Sequence, residues 1–359
     1  MKRNLIILFF SIVCGFGLTA QNSQTSKKKV KNIILMIGDG MGTSHVYAAL
    51  TAKKGNLNMC KTKHIGFSKT YSSNRFITDS GAGGTALATG CKANNRTVGL
   101  NGNKEVVPTI LELAEKKGMS TGLISTSAIT HATPASFIAH NKSRADYEGI
   151  ALDFLKTDVD IFIGGGYKHF FKRSDGLDLK DSLLNRGYEV ITTMEDLNNS
   201  SSDKIAALLY PKHGPKYLDG RGEMLVESAQ KALEVLKDSD QGFFLMIEGS
   251  QIDFAAHSND TENVVAETVD FDNAVGKVVE WALQDGETLV IVTADHETGG
   301  FAVTGGNMEL GEVKGDFVSK HHTATMVPVF AFGPKADLFQ GVQENTDINK
   351  KMKAVLELD

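Results

Sequence analysis

The sequence predicts an α/β protein, a three-layer sandwich whose mostly parallel central sheet carries helices on both faces. Three observations lead there. Five short apolar runs, Ile33–Ile37, Leu123–Thr126, Phe243–Ile247, Thr288–Thr293 and Val327–Phe332, are bounded by Gly or polar residues and have the length of buried strands. Helical stretches alternate with them, as in chains that build parallel sheets through crossover helices. Glycine reaches 36 of 359 residues while proline stops at 6, which suits many tight strand-to-helix turns.

The same numbers bound the function. A hydrophobic content of 41% excludes a disordered tail, and the length suits one large domain or two modest ones. Basic and acidic residues number 38 and 43, for a net charge of −5, so nucleic acid is not expected as a specific partner.

Taken in order, Met1–Ala20 opens with Lys2 and Arg3, runs apolar from Leu5 to Leu18, and ends in small residues. That is the layout of a secretory signal peptide, and it predicts a periplasmic or secreted protein with no membrane span after processing. A membrane anchor is the competing reading, but the run is shorter than the roughly 20 residues a spanning helix needs. Gln21–Lys31, polar and basic, reads as a flexible tether, and 32–359 as the catalytic domain. Cys60 and Cys91 would remain after processing, and the sequence leaves open whether they pair. Thr109–Lys117 has helical periodicity and stops at Gly118. Val264–Leu283 repeats apolar residues at Val264, Val265, Phe271, Val275, Val278, Val279 and Ala282, an amphipathic helix. The stretch 196–222, polar and turn-rich, reads as a surface insertion before a helix near Glu227–Leu236.

In parallel α/β sheets functional groups gather beyond the carboxyl ends of the strands. Four runs obey that rule. Asp39 follows Ile33–Ile37, Glu248 follows Phe243–Ile247, Asp295 and His296 follow Thr288–Thr293, and His131 with Thr133 follows Leu123–Thr126. Gly38-Asp39-Gly40-Met41-Gly42 resembles a dinucleotide loop, but Asp39 would face the phosphates; a metal ligand or a plain turn fits better. Asp253 and His257 stand four apart, so one helical face can present both to an ion, or they merely cap a helix. Asp295-His296 is a second carboxylate–imidazole pair. His322 could complete the first ion's shell, its neighbour His321 being the alternative. Thr78-Asp79-Ser80-Gly81-Ala82-Gly83-Gly84 places a hydroxyl ahead of small residues that can start a helix. Ser80 is there either a nucleophile or part of a helix cap. No Gly-x-Ser-x-Gly elbow surrounds it, so activation would fall to a metal. Arg144 is a candidate two-pronged clamp on phosphate oxygens, or a solvent-facing cation.

These segments, in this order, resemble the alkaline phosphatase family. The resemblance rests on Asn32-Ile-Ile-Leu-Met-Ile-Gly-Asp39-Gly-Met-Gly, Thr78-Asp-Ser80-Gly-Ala-Gly-Gly-Thr-Ala-Leu-Ala-Thr-Gly, Thr130-His131-Ala-Thr133-Pro-Ala, Glu248-Gly-Ser-Gln-Ile-Asp253 through His257, Thr293-Ala-Asp295-His296-Glu-Thr-Gly-Gly and His322-Thr323. It spans about Lys31 to Gly333. It implies a phosphomonoesterase acting on small-molecule phosphate monoesters through a phosphoserine at Ser80. Asp253, His257 and His322 would hold one Zn²⁺, and Asp39, Asp295 and His296 a second. Asp39, Thr133 and Glu248 would touch a third ion, normally Mg²⁺, and Arg144 would bind the substrate phosphate. His131 departs from relatives that have an acid at that position; it suits a Zn-like occupant or a water-bridged Mg²⁺, which leaves the third metal open. A homodimer is kept as a candidate assembly, and a phosphodiesterase of the same superfamily as the alternative function.

Overall fold

In a computed structural model, which describes residues 29–358, the five apolar runs lie within one ten-stranded sheet. The strands of the chain, in order, are β1 Asn32–Gly38, β2 His64–Lys69, β3 Ser120–Ala128, β4 Ile161–Gly165, β5 Glu189–Ile191, β6 Ile205–Tyr210, β7 Phe243–Gly249, β8 Thr288–Thr293, β9 Glu297–Thr298, β10 Phe301–Asn307, β11 Glu312–Phe317, β12 His322–Thr323, β13 Val327–Phe332 and β14 Gly341–Glu344. The large sheet has the order β14-β2-β13-β8-β1-β7-β3-β4-β6-β5. Every strand in it runs the same way except β13, which is antiparallel to both β8 and β2.

The central strands are buried on both faces, which is why they read as unbroken apolar runs rather than alternating ones. Along β1, Ile33, Leu35 and Ile37 enter one core, while Ile34 and Met36 enter the other. The first core is closed by helices Ser80–Thr89, Ile110–Lys116, Ala132–Ile138 and Asn345–Leu356 through Leu87, Ile110, Ala135 and Ile348. The second is closed by Thr43–Ala52, Met224–Leu236 and Thr261–Asp285 through Val46, Leu225 and Phe271. The sandwich is as the sequence predicted. The two helices read from periodicity form as Ile110–Lys116 and Thr261–Asp285. Gly118 adopts φ +79 just past the first of them.

The signal-peptide segment Met1–Ala20 and most of the tether lie outside the described residues. Tether residue Val30 is buried, and Lys31 N donates to Glu287 O at 2.9 Å, so its last residues are fastened to the domain. Cys60 and Cys91 are both free. Among the described residues no helix is long and apolar enough to cross a membrane.

The stretch 196–222 needs correction. It is no mere surface excursion: Ile205–Tyr210 is β6, paired on one side with β4 and on the other with β5, and Ile205–Leu208 are fully buried. Polar flanks on both sides masked a short apolar run. The remainder is held to helix Thr261–Asp285 by the buried Arg221 guanidinium, which pairs with Glu267 and, at 2.8 Å, with Asp270, and donates to Pro215 O at 2.9 Å.

Burial pushes the Asp270 carboxyl up to about 6, even with Arg221 beside it. An acid whose folded pKa is raised contributes stability that is full below its unfolded value and is lost as pH rises through the folded one. Urea unfolding of wild type against Asp270→Asn should show this. Between pH 4 and 6 the wild type should lose on the order of 2 kcal/mol relative to the variant. Parallel pH curves would contradict it.

Candidate metal centre and active site

The topology sets β8, β1, β7 and β3 side by side, so residues just past their carboxyl ends meet along one rim. Asp39 follows β1, Glu248 is the last residue but one of β7, Asp295 and His296 follow β8, and His131 follows β3. Helix Gln251–His257, directly after β7, presents Asp253 and His257 on one face with Oδ1 and Nε2 3.3 Å apart. His322 comes from β12, the cross-strand partner of β9, and its Nε2 lies 3.6 Å from Asp253 Oδ1 and 3.1 Å from His257 Nε2. The neighbouring His321 is exposed and stands outside this group.

Three groups of ligand-type atoms result, each within 4.8 Å of one another: Asp253 with His257 and His322; Asp39 with Asp295 and His296; Asp39 with His131 and Glu248. Asp39 belongs to two of them. His296 Nε2 is 3.4 Å from Asp39 Oδ1 and 3.2 Å from Asp295 Oδ2. Thr133 Oγ1 reaches Asp39 Oδ2 at 3.5 Å, and Ser125 donates to Glu248 Oε2 at 2.6 Å.

Ser80 is buried and is the first residue of helix Ser80–Thr89. The N-cap is Asp79, whose Oδ1 accepts from Ala82 N at 3.0 Å. Capping therefore does not use Ser80, and its Oγ turns to His296 Nε2 at 3.2 Å. Arg144 is also turned inward. Its Nη1 donates to Asp79 Oδ2 at 3.1 Å and its Nη2 lies 3.3 Å from His131 Nε2. The two contacts hold the guanidinium over the start of the serine helix, with Arg144 Cδ 3.5 Å from where a Cβ on Gly81 would stand.

The charge state is lopsided. Burial, then Asp295, Asp253 and Glu248, raise Asp39 well above the carboxylate range. Burial and Asp253 push Asp295 up to about 8, and burial raises Glu248. Burial alone would raise Asp253 too, but the hydrogen bond with His257 and the neighbouring His296 and His322 rings outweigh it and hold the carboxyl well below its ordinary value. His257, bonded to Asp253, rises to about 9. His296 and His131, buried, are held far below the usual imidazole range. Neutral imidazoles among crowded carboxylates form a donor set that favours cations. Buried Asp39 Oδ1, Asp295 Oδ2 and Glu248 Oε1 have no hydrogen-bond partner, and cations would satisfy them.

All eleven residues singled out from the sequence thus lie along this rim. Others went unassigned. Asp79 both caps the serine helix and carries Arg144. Ser125 is signalled by the polar Ser125-Thr126-Ser127 run inside an apolar strand. Thr298 sits within the quoted Asp295-His296-Glu-Thr motif. Nothing in the sequence brings His213 and Phe254 to His131, yet their rings pack edge-on against it at 5.4 and 5.6 Å.

A serine at a helix start, beside a basin of cation-seeking donors on a parallel-sheet rim, defines a metal-dependent hydrolase. A sequence model of the alkaline phosphatase family matches residues 30–314 and 312–358. Alkaline phosphatase 4 of Bacillus subtilis is 38% identical over 318 residues, covering 83% of this chain and 68% of that one. Alkaline phosphatase of Escherichia coli is 30% identical over 423 residues, covering 96% and 90%. The solved alkaline phosphatase of the Antarctic bacterium TAB5 superposes with a TM-score of 0.87 at 38% identity, over 92% of this chain and 99% of that one. The chain belongs to the alkaline phosphatase family and is a metal-dependent phosphatase.

Gly83 marks how closely the serine helix meets the ligand loop. A Cβ there would lie 2.9 Å from Asp295 O and 3.0 Å from Asp295 Cβ. In an open helix Gly→Ala stabilises by roughly 0.5–1 kcal/mol. Here Gly83→Ala should instead destabilise by about 1–3 kcal/mol and cut phosphatase activity by moving Asp295 and His296 from Ser80. Thermal melts and p-nitrophenyl phosphate turnover check both. A more stable, fully active variant would contradict the packing account.

Proposed function

We propose that this chain is a secreted phosphomonoesterase that cleaves small-molecule phosphate monoesters through a phosphoserine formed on Ser80. The observation that carries the reading is Ser80 Oγ, 3.2 Å from the same His296 Nε2 that faces Asp39 and Asp295. Asp253, His257 and His322 would hold one Zn²⁺, and Asp39, Asp295 and His296 a second, since imidazole with carboxylate suits zinc. Asp39, Thr133 and Glu248 offer oxygen alone, which suits Mg²⁺, while His131 adds a nitrogen that favours a softer ion. Two solved forms of the Antarctic relative, with a histidine changed to glutamate or aspartate, hold Mg in a site called M3. That makes His131 the residue to test for the third ion.

When bound, the ions supply Lewis-acid activation of the serine and neutralise charge on the reacting oxygens. The chain does the positioning. Arg144, held by Asp79 and His131, pairs with two non-bridging phosphate oxygens. The amides at the start of helix Ser80–Thr89 face the anion, where the helix dipole is favourable. Ser80 attacks phosphorus in line, the alcohol departs, and water opens the phosphoserine from the vacated side. Two displacements give net retention at phosphorus.

Ser80→Ala should keep its metal content yet lose turnover on the order of 10³-fold or more. In the wild type, EDTA should abolish turnover and zinc restore it. A near-normal rate in the variant, or indifference to EDTA, would remove this chemistry. Arg144→Ala separates a monoesterase from the phosphodiesterase alternative, because a diester lacks one of the charged oxygens. The variant should lose about 2 kcal/mol on p-nitrophenyl phosphate, roughly thirtyfold in kcat/KM, and less on bis-p-nitrophenyl phosphate. Equal losses on both would contradict the clamp. Export rests on Met1–Ala20, and the homodimer on the family resemblance. Cell fractionation and light scattering address them.

A further inference from the structure

We propose that Thr298 is a positioning residue that joins the two imidazole-bearing metal clusters into one cooperative unit. The inference rests on reading those clusters as metal sites and adds how they communicate. Thr298 lies on β9, fully buried, directly across from His322 on β12. Its Oγ1 is 2.5 Å from Asp253 Oδ1, in the first cluster, and 3.2 Å from His296 Nδ1, in the second.

The proton inventory fixes who donates. A hydroxyl has one hydrogen, and a carboxylate oxygen only accepts, so Thr298 donates to Asp253. The remaining lone pairs on Oγ1 then accept from His296, which places the imidazole proton on Nδ1. That tautomer leaves the Nε2 lone pair aimed toward Asp39 Oδ1 and Asp295 Oδ2, at 3.4 and 3.2 Å. One hydroxyl therefore sets the carboxylate of one cluster and the ring orientation of the other. Outer-shell partners of this kind fix ligand tautomer and direction.

One further contact couples the same groups. The His296 and His322 rings stack with centroids 3.6 Å apart, so turning either ring disturbs a ligand of the other cluster. Gly40 makes room for the hydroxyl. A Cβ at this residue, which has φ +71, would stand 2.7 Å from Thr298 Oγ1 and 3.1 Å from Asp253 Cα.

The test is zinc binding to the EDTA-stripped full-length chain, read by competition with a chromophoric chelator, so no turnover is needed. Wild type should bind zinc at both clusters in one steep, coupled isotherm. Thr298→Val keeps the shape and removes the hydroxyl, and should weaken both clusters by about 10–100-fold and separate the isotherm into two steps. Thr298→Ser restores the hydroxyl and should recover the coupled isotherm. Weakening confined to one cluster, an unchanged isotherm in Thr298→Val, or a Ser variant that behaves like Val would overturn the proposal. If Thr298→Val does not fold by circular dichroism, Thr298→Ala takes its place, and it must weaken both clusters together where Thr298→Ser does not; weakening of one alone counts against the proposal. Wild type that binds no zinc at all would overturn the metal reading itself, a different result from intact binding without coupling.

Discussion

Four carboxylates, Asp39, Glu248, Asp253 and Asp295, are buried within one small volume, and much of the site follows from the repulsion among them. Burying one ionised carboxylate without a partner is costly, and burying several together more so. Arg144 and His257 are the cationic groups at hand, and Arg144 is already shared with Asp79. Three of these buried oxygens, Asp39 Oδ1, Glu248 Oε1 and Asp295 Oδ2, have no hydrogen-bond donor and are left for cations, which is the arrangement divalent ions require. Asp39 shows it best, since it belongs to two ligand groups and one of its oxygens has no hydrogen-bond partner.

Only rigid backbone can hold like charges this close. Here it is the parallel register of β8, β1 and β7, with Ile37 opposite Glu248 on one side and Thr293 on the other. Each strand delivers its acid one or two residues beyond an apolar run locked into both cores. A slip of one residue in any of these strands would exchange the faces of its whole apolar set, so the cores enforce the spacing of the ligands. The same packing leaves no space for side chains at Gly83, where the serine helix meets Asp295, or at Gly40, beneath Thr298.

That coupling explains how much could be read without coordinates. Long apolar runs and the acids following them are local signals, so β1, β3, β7, β8 and β13 were legible with every proposed ligand. The helix that starts at Ser80 was legible from the small residues that follow it. Strands β2, β4, β5, β6 and β14 were not identified, and β6 was hidden inside polar sequence. β5 and β14 flank the sheet and are three and four residues long, too short for periodicity to show. Contacts that arise only from topology were illegible as well. Asp79 beneath Arg144, Thr298 between two clusters and the rings around His131 join segments tens to hundreds of residues apart. No spacing rule links them.

The Ser80–His296 contact alone could be taken for a serine–histidine dyad, and the surroundings argue against it. In such a dyad the base's second nitrogen is oriented by a carboxylate, while the nitrogen near serine faces only the hydroxyl it deprotonates. Here the polarity is reversed. Nδ1 of His296 meets the neutral hydroxyl of Thr298, and Nε2 is shared among Ser80, Asp39 and Asp295. Burial keeps the His296 imidazole neutral, so its Nε2 presents a lone pair to the point that Ser80, Asp39 and Asp295 face. An imidazole aimed with a serine and two acids at one point is arranged as a ligand rather than as the base of a dyad.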